Sequence, residues 1–490
     1  MVVTRFAPSP TGSLHIGGVR TALYAFALAR KNQGRFFLRI EDTDQNRFVL
    51  GSEAEIEKML KAFGLHYDEK FKQSERLEKY QKYAKQLVQL GHAYYCFSTK
   101  EELEEMRNKA KEAGKNFVFR SPYRDLDVTE AEKRVAAGEP YVIIQKLPEN
   151  HVVVFDDPVQ GTMSFNTNDI DETVLLKSDG FPTYHLAVVI DDHEMQVSDV
   201  FRGVEWLPSL PKHVLLYKAF GWEMPVITHL PVILDPDGGK LSKRRGAVSA
   251  VGFLEEGYLP EAIINFLMLL GWSAPITYEH GEKEQEFFTL DAFVNMFSMK
   301  DLNKASPVFN RDKLLWFNQK YIQNLTADEL SNKFIAWLQE YGKKDLDLLK
   351  SHIIKIGPDQ LQKILLLEQT RIKMFSELPS AIAFYFEHNG GLVLNGYKQT
   401  KQMSDKVIQD FLNSYIQFLE NYAHELNEMS HEIWETFVRD YAEKNELKAG
   451  SLFMLLRLAV TDSPFSPPLF EVMQILGKIE VVKRLKKYLQ

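Results

Sequence analysis

The chain has 490 residues, 45% of them hydrophobic, which is enough for roughly two to four domains with cores of their own and too apolar for a disordered protein. A formal charge of −8 excludes unselective nucleic-acid binding, so any RNA contact must use local basic patches on an acidic protein. The single cysteine, Cys96, excludes an intramolecular disulfide framework; with no bilayer-spanning apolar stretch and no signal-peptide pattern, the sequence reads as cytoplasmic and without membrane contact.

Val2 to Phe6 is a β-branched, apolar run that predicts a strand. Ala7-Pro8-Ser9-Pro10-Thr11-Gly12-Ser13-Leu14-His15-Ile16-Gly17-Gly18 follows, and Ile16, Val19, Leu23, Phe26 and Ala27 recur at helical spacing until Asn32-Gln33-Gly34. A strand, Pro/Gly loop and helix in this order aim the helix dipole and free backbone N–H groups above the strand, which suits a phosphate. Gly12, Gly17 and Gly18 carry no side chain to hold a nucleotide off, and His15 can offer a ring N–H. The plainer alternative is an ordinary turn with a surface histidine. Arg35 to Ile40 predicts a second strand and a right-handed βαβ start to a parallel sheet, whose ligands sit at the strands' carboxyl ends. Glu41-Asp42-Thr43-Asp44 then faces the same crevice as His15, unless Asp42 or Thr43 caps a helix beginning near Ser52; Asp44 serves equally as cap or ligand.

Gln73 to Thr173 reads as an insertion: a helix ending near Gly91, a charged helix from Lys100 to Ala113, then strands at Tyr141 to Lys146 and Val152 to Phe155. The parallel sheet is expected to resume at Val174 to Lys177. Gly180-Phe181-Pro182 turns the chain into Tyr184 to Ile190, read as a strand ending in Asp191-Asp192-His193; two aspartates there more readily cap or orient neighbours than bind a metal or act as a base. The strand Val197 to Phe201 delivers Arg202, suited to a ligand carboxylate, a helix runs from about Leu207 to Phe220, and Val226 to Leu230 leads to Asp235-Pro236-Asp237-Gly238-Gly239-Lys240-Leu241-Ser242-Lys243-Arg244-Arg245-Gly246. The glycines let that loop close, and Lys240 and Lys243 are spaced to hold the outer phosphates of a triphosphate; a solvated charged face is the alternative.

Beyond Gly246 helices dominate, at Glu261 to Leu270, at Arg311 to Gln319 and past a polar insertion at Tyr278 to Glu286. From Leu325 to Gln490 they alternate with breaks at Gly357-Pro358, Pro379, Gly390-Gly391 and Pro464 to Pro468, with no repeat period. The closing run from Lys478 is an amphipathic helix whose basic face is either solvated or set against RNA.

The loops holding His15 and Lys240-Leu241-Ser242-Lys243 resemble the HIGH and KMSKS motifs of class I aminoacyl-tRNA synthetases. With Ile40-Glu41-Asp42-Thr43-Asp44 and Asp179-Gly180-Phe181-Pro182-Thr183-Tyr184-His185, the chain resembles the bacterial-type glutamyl-tRNA synthetases, densely to about residue 320 and loosely beyond. The resemblance implies an α/β Rossmann-like parallel-sheet catalytic domain split over 1–72 and 174–238, an inserted α+β acceptor-end-binding domain at 73–173, a tRNA stem-contact region at 239–320 and an all-α anticodon-binding region at 321–490. It implies a monomeric ligase that uses ATP with Mg2+ to activate L-glutamate in a tRNA-dependent way and passes the glutamyl group to the terminal adenosine of tRNA(Glu); the alternative is a non-discriminating enzyme that also charges tRNA(Gln). A glutaminyl enzyme is disfavoured because its anticodon end is expected to be β-barrel.

On the matching positions, His15, Lys240 and Lys243 are the expected catalytic groups, with Gly12, Gly17, Gly18, Ser242 and Arg244 completing the ATP site. Glutamate falls to Arg5, Ala7, Ser9, Glu41, Tyr184 and Arg202. Two carboxylates and one ammonium call for two cations and one anion in a closed pocket, with Glu41 on the ammonium. Arg5 with Tyr184 is favoured for the side chain and Arg202 for the α-carboxylate. Arg371, in Gln369-Thr370-Arg371-Ile372, matches an arginine that reads the last anticodon base. Many relatives carry a zinc knot beginning near Cys96, but Ser98 stands where its second cysteine belongs, so neither zinc nor any other protein-held metal is expected.

Overall fold

Strand β1 (Val3–Phe6), helix α1 (Ile16–Lys31) and strand β2 (Arg35–Ile40) form the expected βαβ unit, with Val3 opposite Arg35 and Phe6 opposite Leu38 in parallel register. The computed structural model describes residues 1–112, 118, 120–241, 249–274, 286–343, 346–422 and 424–489. These form two compact units, one of Met1–Phe253 with Ile263–Arg311, the other of Leu254–Ala262 with Asp312–Gln490.

In the first unit, α2 (Ser52–Ala62) leads to β3 (Glu69–Lys72) and then to an excursion: α3 (Leu77–Gln89), β4 (Ala93–Cys96), α4 (Lys100–Glu112), α5 (Val128–Ala136), β5 (Val142–Gln145), the hairpin β6 (Val152–Asp157) and β7 (Gly161–Asn166), and β8 (Val174–Leu176). Helix α6 (Tyr184–Glu194), β9 (Asp199–Gly203), α7 (Leu210–Phe220) and β10 (Val226–Leu230) follow. The main sheet has five parallel strands in the order β10-β9-β1-β2-β3. Strand order reverses at β1, so the carboxyl ends of β1 and β9 flank a switch point, where such sheets open a crevice. β2 is exposed only at Arg35, as a strand covered on both faces must be. An apolar cluster joins Val3, Phe37, Val200 and Ile227 of the sheet to Leu210 and Val214 of α7 and to Val153 and Phe155 of β6. Because β6 alternates exposed and buried residues, Asp157 shares the inward face of Val153 and Phe155.

Two expectations and one alternative fail here. β8 does not continue the parallel sheet; it pairs antiparallel with β5 in a separate sheet of order β4-β5-β8. Tyr184 to Ile190 is helix rather than strand: Leu186 to Ile190 are all buried, and an apolar run buried on every side carries no periodicity to separate the two. Neither Asp42 nor Thr43 caps α2, whose N-cap is Gly51; Asp42 Oδ1 instead accepts from the Ser74 N–H at 2.8 Å.

Helices α8 (Ala250–Glu255), α9 (Pro260–Met268) and α10 (Leu290–Met296) come next in the chain, and the second unit from Asp312 onward holds α11 (Arg311–Gln323), α12 (Ala327–Tyr341), α13 (Asp347–Glu368), α14 (Leu378–Phe386), α15 (Asp405–Asn421), α16 (His431–Lys444), α17 (Ala449–Thr461), α18 (Leu469–Leu476) and α19 (Lys478–Lys486). Gly357, at φ 76°, kinks α13 just before Pro358, where the sequence predicts a break. One core gathers Phe334, Leu361, Leu365 and Leu378; another gathers Phe411, Tyr415, Leu455 and Leu456, with Val481 and Leu485 giving α19 its apolar side. Among the described residues no helix is long and apolar enough to cross a membrane. The polar insertion expected at 278–286 lies, but for residue 286, outside the described residues.

Candidate functional site

At the switch point a cavity of about 510 Å³ is lined by Arg5, Ala7, Ser9, His15, Gly17 and Gly18 from β1 and the following loop and helix, by Glu41 after β2, by Tyr184 and Arg202 from α6 and β9, and by Lys240. Phe201, Glu205 and Trp206 also line it, although the sequence singled out none of them. Ser242, Lys243 and Arg244 lie outside the described residues.

His15 is the N-cap of α1, and its Nδ1 accepts the Gly17 N–H at 3.0 Å. One of the helix-end donors is therefore spent on the ring, and the ring in turn is oriented with its proton on Nε2 when neutral. Gly12, at φ 129°, holds a conformation open in practice only to glycine. A Cβ at Gly18 would lie 3.0 Å from Leu14 Cδ1, so the loop packs against its own helix there. Ser249 forms a bridge with His15, and the Ala250 N–H donates to Leu14 O at 2.8 Å, returning the chain after the Lys240 loop to the first loop. Lys240 Nζ pairs with Glu205 Oε1 at 3.0 Å, both side chains exposed.

Arg5 is held by charge. Its Nε lies 3.0 Å from Asp192 Oδ1 and its Nη2 3.4 Å from Oδ2. Arg39, fully buried, donates from Nη1 to the same Asp192 Oδ1 at 2.6 Å and from Nη2 and Nε to Glu41 Oε1 at 3.2 and 3.3 Å. Asp191 lies 3.9 Å from Arg39 and pairs with Arg76 at 2.9 Å, while Tyr80 Oη and Gln73 Nε2 donate to its Oδ2. The aspartates thus orient their neighbours, one of the two roles the sequence allowed them. Burial drives the Glu41 carboxyl up despite Arg39 and Arg5; burial works the same way on Asp192, but there the two arginines win and hold it below the usual range.

Arg202 is held by neutral groups. Asp157 Oδ2 accepts the His229 backbone N–H at 2.9 Å and its ring Nδ1–H at 2.6 Å. Nε2 of His229 is then free to accept from Arg202 Nε at 2.9 Å. Arg202 Nη1 reaches Tyr184 Oη and His213 Nδ1, each at 3.2 Å, and His213 Nε2 faces His185 Nδ1 at 3.2 Å. Tyr184 is therefore bonded to Arg202, not to the Arg5 with which the sequence reading grouped it. Burial pushes His185 down to about 3 and His213 well below its ordinary value; it also lowers His229, against the pull of Asp157. Arg202 Nη2, buried, has no hydrogen-bond partner among the described residues.

The charges decide what fits. Arg5, Arg39 and Arg76 balance Asp191, Asp192 and Glu41, Lys240 balances Glu205, and Asp157, one imidazole behind Arg202, stands against both Arg202 and Arg20, which also lines the cavity, so one positive charge is left in excess. A ligand with one net negative charge completes the set. Among the described residues no group of three or more His, Cys, Asp or Glu converges on a point. Cys96, buried, lies 3.2 Å from Ser121 Oγ. In the helical unit, Arg371 lies 3.3 Å from buried Glu368, whose carboxyl burial raises to about 7 against the attraction of the arginine.

Arg39, Asp157, His213 and His229 were missed. A signal existed for one of them, since a carboxylate on the buried face of an alternating strand, as Asp157 is, calls for a partner.

Residues 1–316 match the family described as tRNA synthetases class I (E and Q), catalytic domain, and residues 325–489 match an anticodon binding domain. A glutamate–tRNA ligase of Chlorobium luteolum is 39% identical, with 99% of this chain and 97% of that protein covered. One of Finegoldia magna is 37% identical, covering 100% and 99%. Among solved structures, a glutamate tRNA ligase from Elizabethkingia meningosepticum in complex with its amino acid superposes with a TM-score of 0.85 at 34% identity, covering 100% of this chain and 99% of that one.

Proposed function

The chain belongs to the class I tRNA synthetases and, within them, to the glutamate–tRNA ligases, and from that premise we propose how its pocket works. Glutamate's α-carboxylate attacks the α-phosphorus of ATP, pyrophosphate leaves, and a ribose hydroxyl of the terminal adenosine of tRNA(Glu) then takes the glutamyl group from the adenylate. Neither step needs an enzyme nucleophile, so catalysis is positioning and charge stabilisation.

Arg5 and Arg202 meet the two carboxylates of glutamate, Glu41 meets its ammonium, and Ala7 and Ser9 line its bed. Gly12, His15, Gly17 and Gly18 receive ATP, while Lys240 and Lys243, with Ser242 and Arg244, draw off charge from the departing pyrophosphate; magnesium arriving with ATP adds to that neutralisation. We place the acceptor end of the tRNA on the insertion at 73–173, its stem on 239–320 and its anticodon on 321–490, with Arg371 at the last anticodon base and tRNA needed before activation. A single chain carries every group this reading uses, so a monomer in the cytoplasm suffices. The relatives' names lend no support to charging of tRNA(Gln) as well.

The observation that carries the proposal is the single excess positive charge in a pocket that also presents Glu41, which matches glutamate and leaves glutamine one charge short. Lys243→Ala tests the ATP half: tRNA-dependent pyrophosphate exchange should slow by about a hundredfold or more with folding unchanged. Near-normal exchange would remove Lys243 from the reaction.

A further inference from the structure

Arg202 has five N–H donors in one rigid plane, and the residues behind it occupy them in order. His229 Nε2 takes Nε at 2.9 Å, and Tyr184 Oη and His213 Nδ1 take Nη1 at 3.2 Å each, leaving Nη2 buried in the pocket wall with no partner among the described residues. We infer that Asp157 and His229 are a positioning dyad for Arg202: the carboxylate fixes the imidazole tautomer, the imidazole fixes the plane of the guanidinium, and Nη2 is thereby aimed at a carboxylate of the amino acid. The inference rests on the reading that Arg202 meets such a carboxylate.

Asp157 has to be a carboxylate for this. Its Oδ1 accepts the N–H groups of Val159 and Gln160 at 2.7 and 2.8 Å, and its Oδ2 accepts both donors of His229. An amide in its place would turn an NH2 against one donor pair. If that pair were the one on His229, the ring proton would move to Nε2 and face Arg202 Nε donor to donor. Burial lowers the pKa of the ring and so favours its neutral form, with the proton on Nδ1. Asp157 stands at the end of β6, and Gln160, in the turn of the same hairpin, donates from Nε2 to His229 O at 3.0 Å. The inserted hairpin therefore holds the amino-acid pocket through one imidazole, a link between segments 72 residues apart in sequence.

The test is steady-state aminoacylation at saturating tRNA, with separate KM values for L-glutamate and ATP and thermal unfolding as a control on folding. His229→Leu and Asp157→Asn should each raise the glutamate KM roughly tenfold or more, leaving the ATP KM and kcat within about threefold. His229→Gln, whose Oε1 can take the place of Nε2, should recover most of the loss. An unchanged glutamate KM in His229→Leu, an ATP KM that rises in parallel, or a Gln variant no better than the Leu variant would each overturn the dyad. Should His229→Leu fail to fold, Asp157→Asn set against His229→Gln decides by the same criterion. Arg202→Lys separates the two claims: if it leaves the glutamate KM unchanged, the reading of Arg202 falls, whereas a raised KM there beside a normal one in His229→Leu removes only the dyad.

Discussion

The two sides of the pocket hold the same kind of side chain in opposite ways. Arg5 stands in an interior lattice of charges, with Asp192 shared between it and Arg39 and with Glu41 bound to the far end of Arg39. Arg202 stands among neutral acceptors, two imidazoles and a phenol. On the first side every positive charge already has a negative partner, so the arginine is fixed but largely neutralised. On the second side, among the described residues, no carboxylate touches the guanidinium: burial favours the neutral form of the histidines, whose lone pairs face it, and the Asp157 carboxylate stands one imidazole behind. Selection for a negatively charged ligand therefore resides in the contrast: one side supplies geometry and the ammonium's partner, the other supplies a guanidinium held by neutral groups rather than by a carboxylate.

Removing the shared anion is the strongest way to break the contrast. Asp192→Asn leaves two buried arginines facing one carboxylate fewer and should cost about 3–5 kcal/mol in denaturant unfolding. A loss under about 1 kcal/mol would mean that Arg5 and Arg39 are not held by charge. Next in size, Arg5→Lys keeps the charge and loses the fork against Asp192 and the ligand; the apparent glutamate affinity should fall by roughly 30-fold or more while ATP binding stays put. Impaired ATP binding with intact glutamate affinity would move Arg5 to the nucleotide site.

Acid should separate the two sides. His185 has a folded pKa lowered from 6.5 to about 3, so between those values the unfolded chain takes up a proton that the folded chain refuses, and stability falls as pH drops through that window. The slope is at most about 1.4 kcal/mol per pH unit for each such imidazole. Asp192, held below its ordinary 3.8, contributes stability that is present above that value and lost only as pH falls further, through its folded pKa. Between pH 7 and 4.5 the histidine side should lower stability as pH falls, while the raised carboxyls of Glu41 and Glu368 act in the opposite sense, and His185→Gln should reduce the acid loss; an unchanged pH dependence in that variant would assign the acid sensitivity elsewhere. The smallest effect belongs to the exposed Lys240–Glu205 pair: Glu205→Gln should change stability by less than about 1 kcal/mol, and a larger loss would show the pair to be structural.

The sequence carried one side of this comparison far better than the other. His15, Glu41 and Lys240 sit in short stretches whose Gly, Pro and charge spacing already dictate a loop at a strand end, and Arg5 and Arg202 lie within or at the ends of strands that apolar runs mark out. Asp192 could be read as an orienting group, but its partner Arg5 is 187 residues away and no local pattern joins them. The neutral side was nearly invisible. Asp157, His229 and His213 come from a hairpin, an edge strand and a helix that meet only when the sheet is packed, and each by itself is an unremarked polar residue in an apolar run. Misreading α6 as a strand had the same cause, since burial on every face removes the alternation that separates strand from helix. In the helical unit Gly357 showed in sequence because glycine before proline breaks a helix locally, whereas the burial of Glu368 beside Arg371 depends on packing.

The central claim is that this pocket selects glutamate by charge, and tRNA-dependent ATP–pyrophosphate exchange run side by side with L-glutamate and L-glutamine measures it. Losing one partner of a buried charge pair costs about 2–5 kcal/mol, so glutamine should support exchange roughly 30-fold to several thousand-fold less efficiently. Equal exchange with the two amino acids would contradict the account.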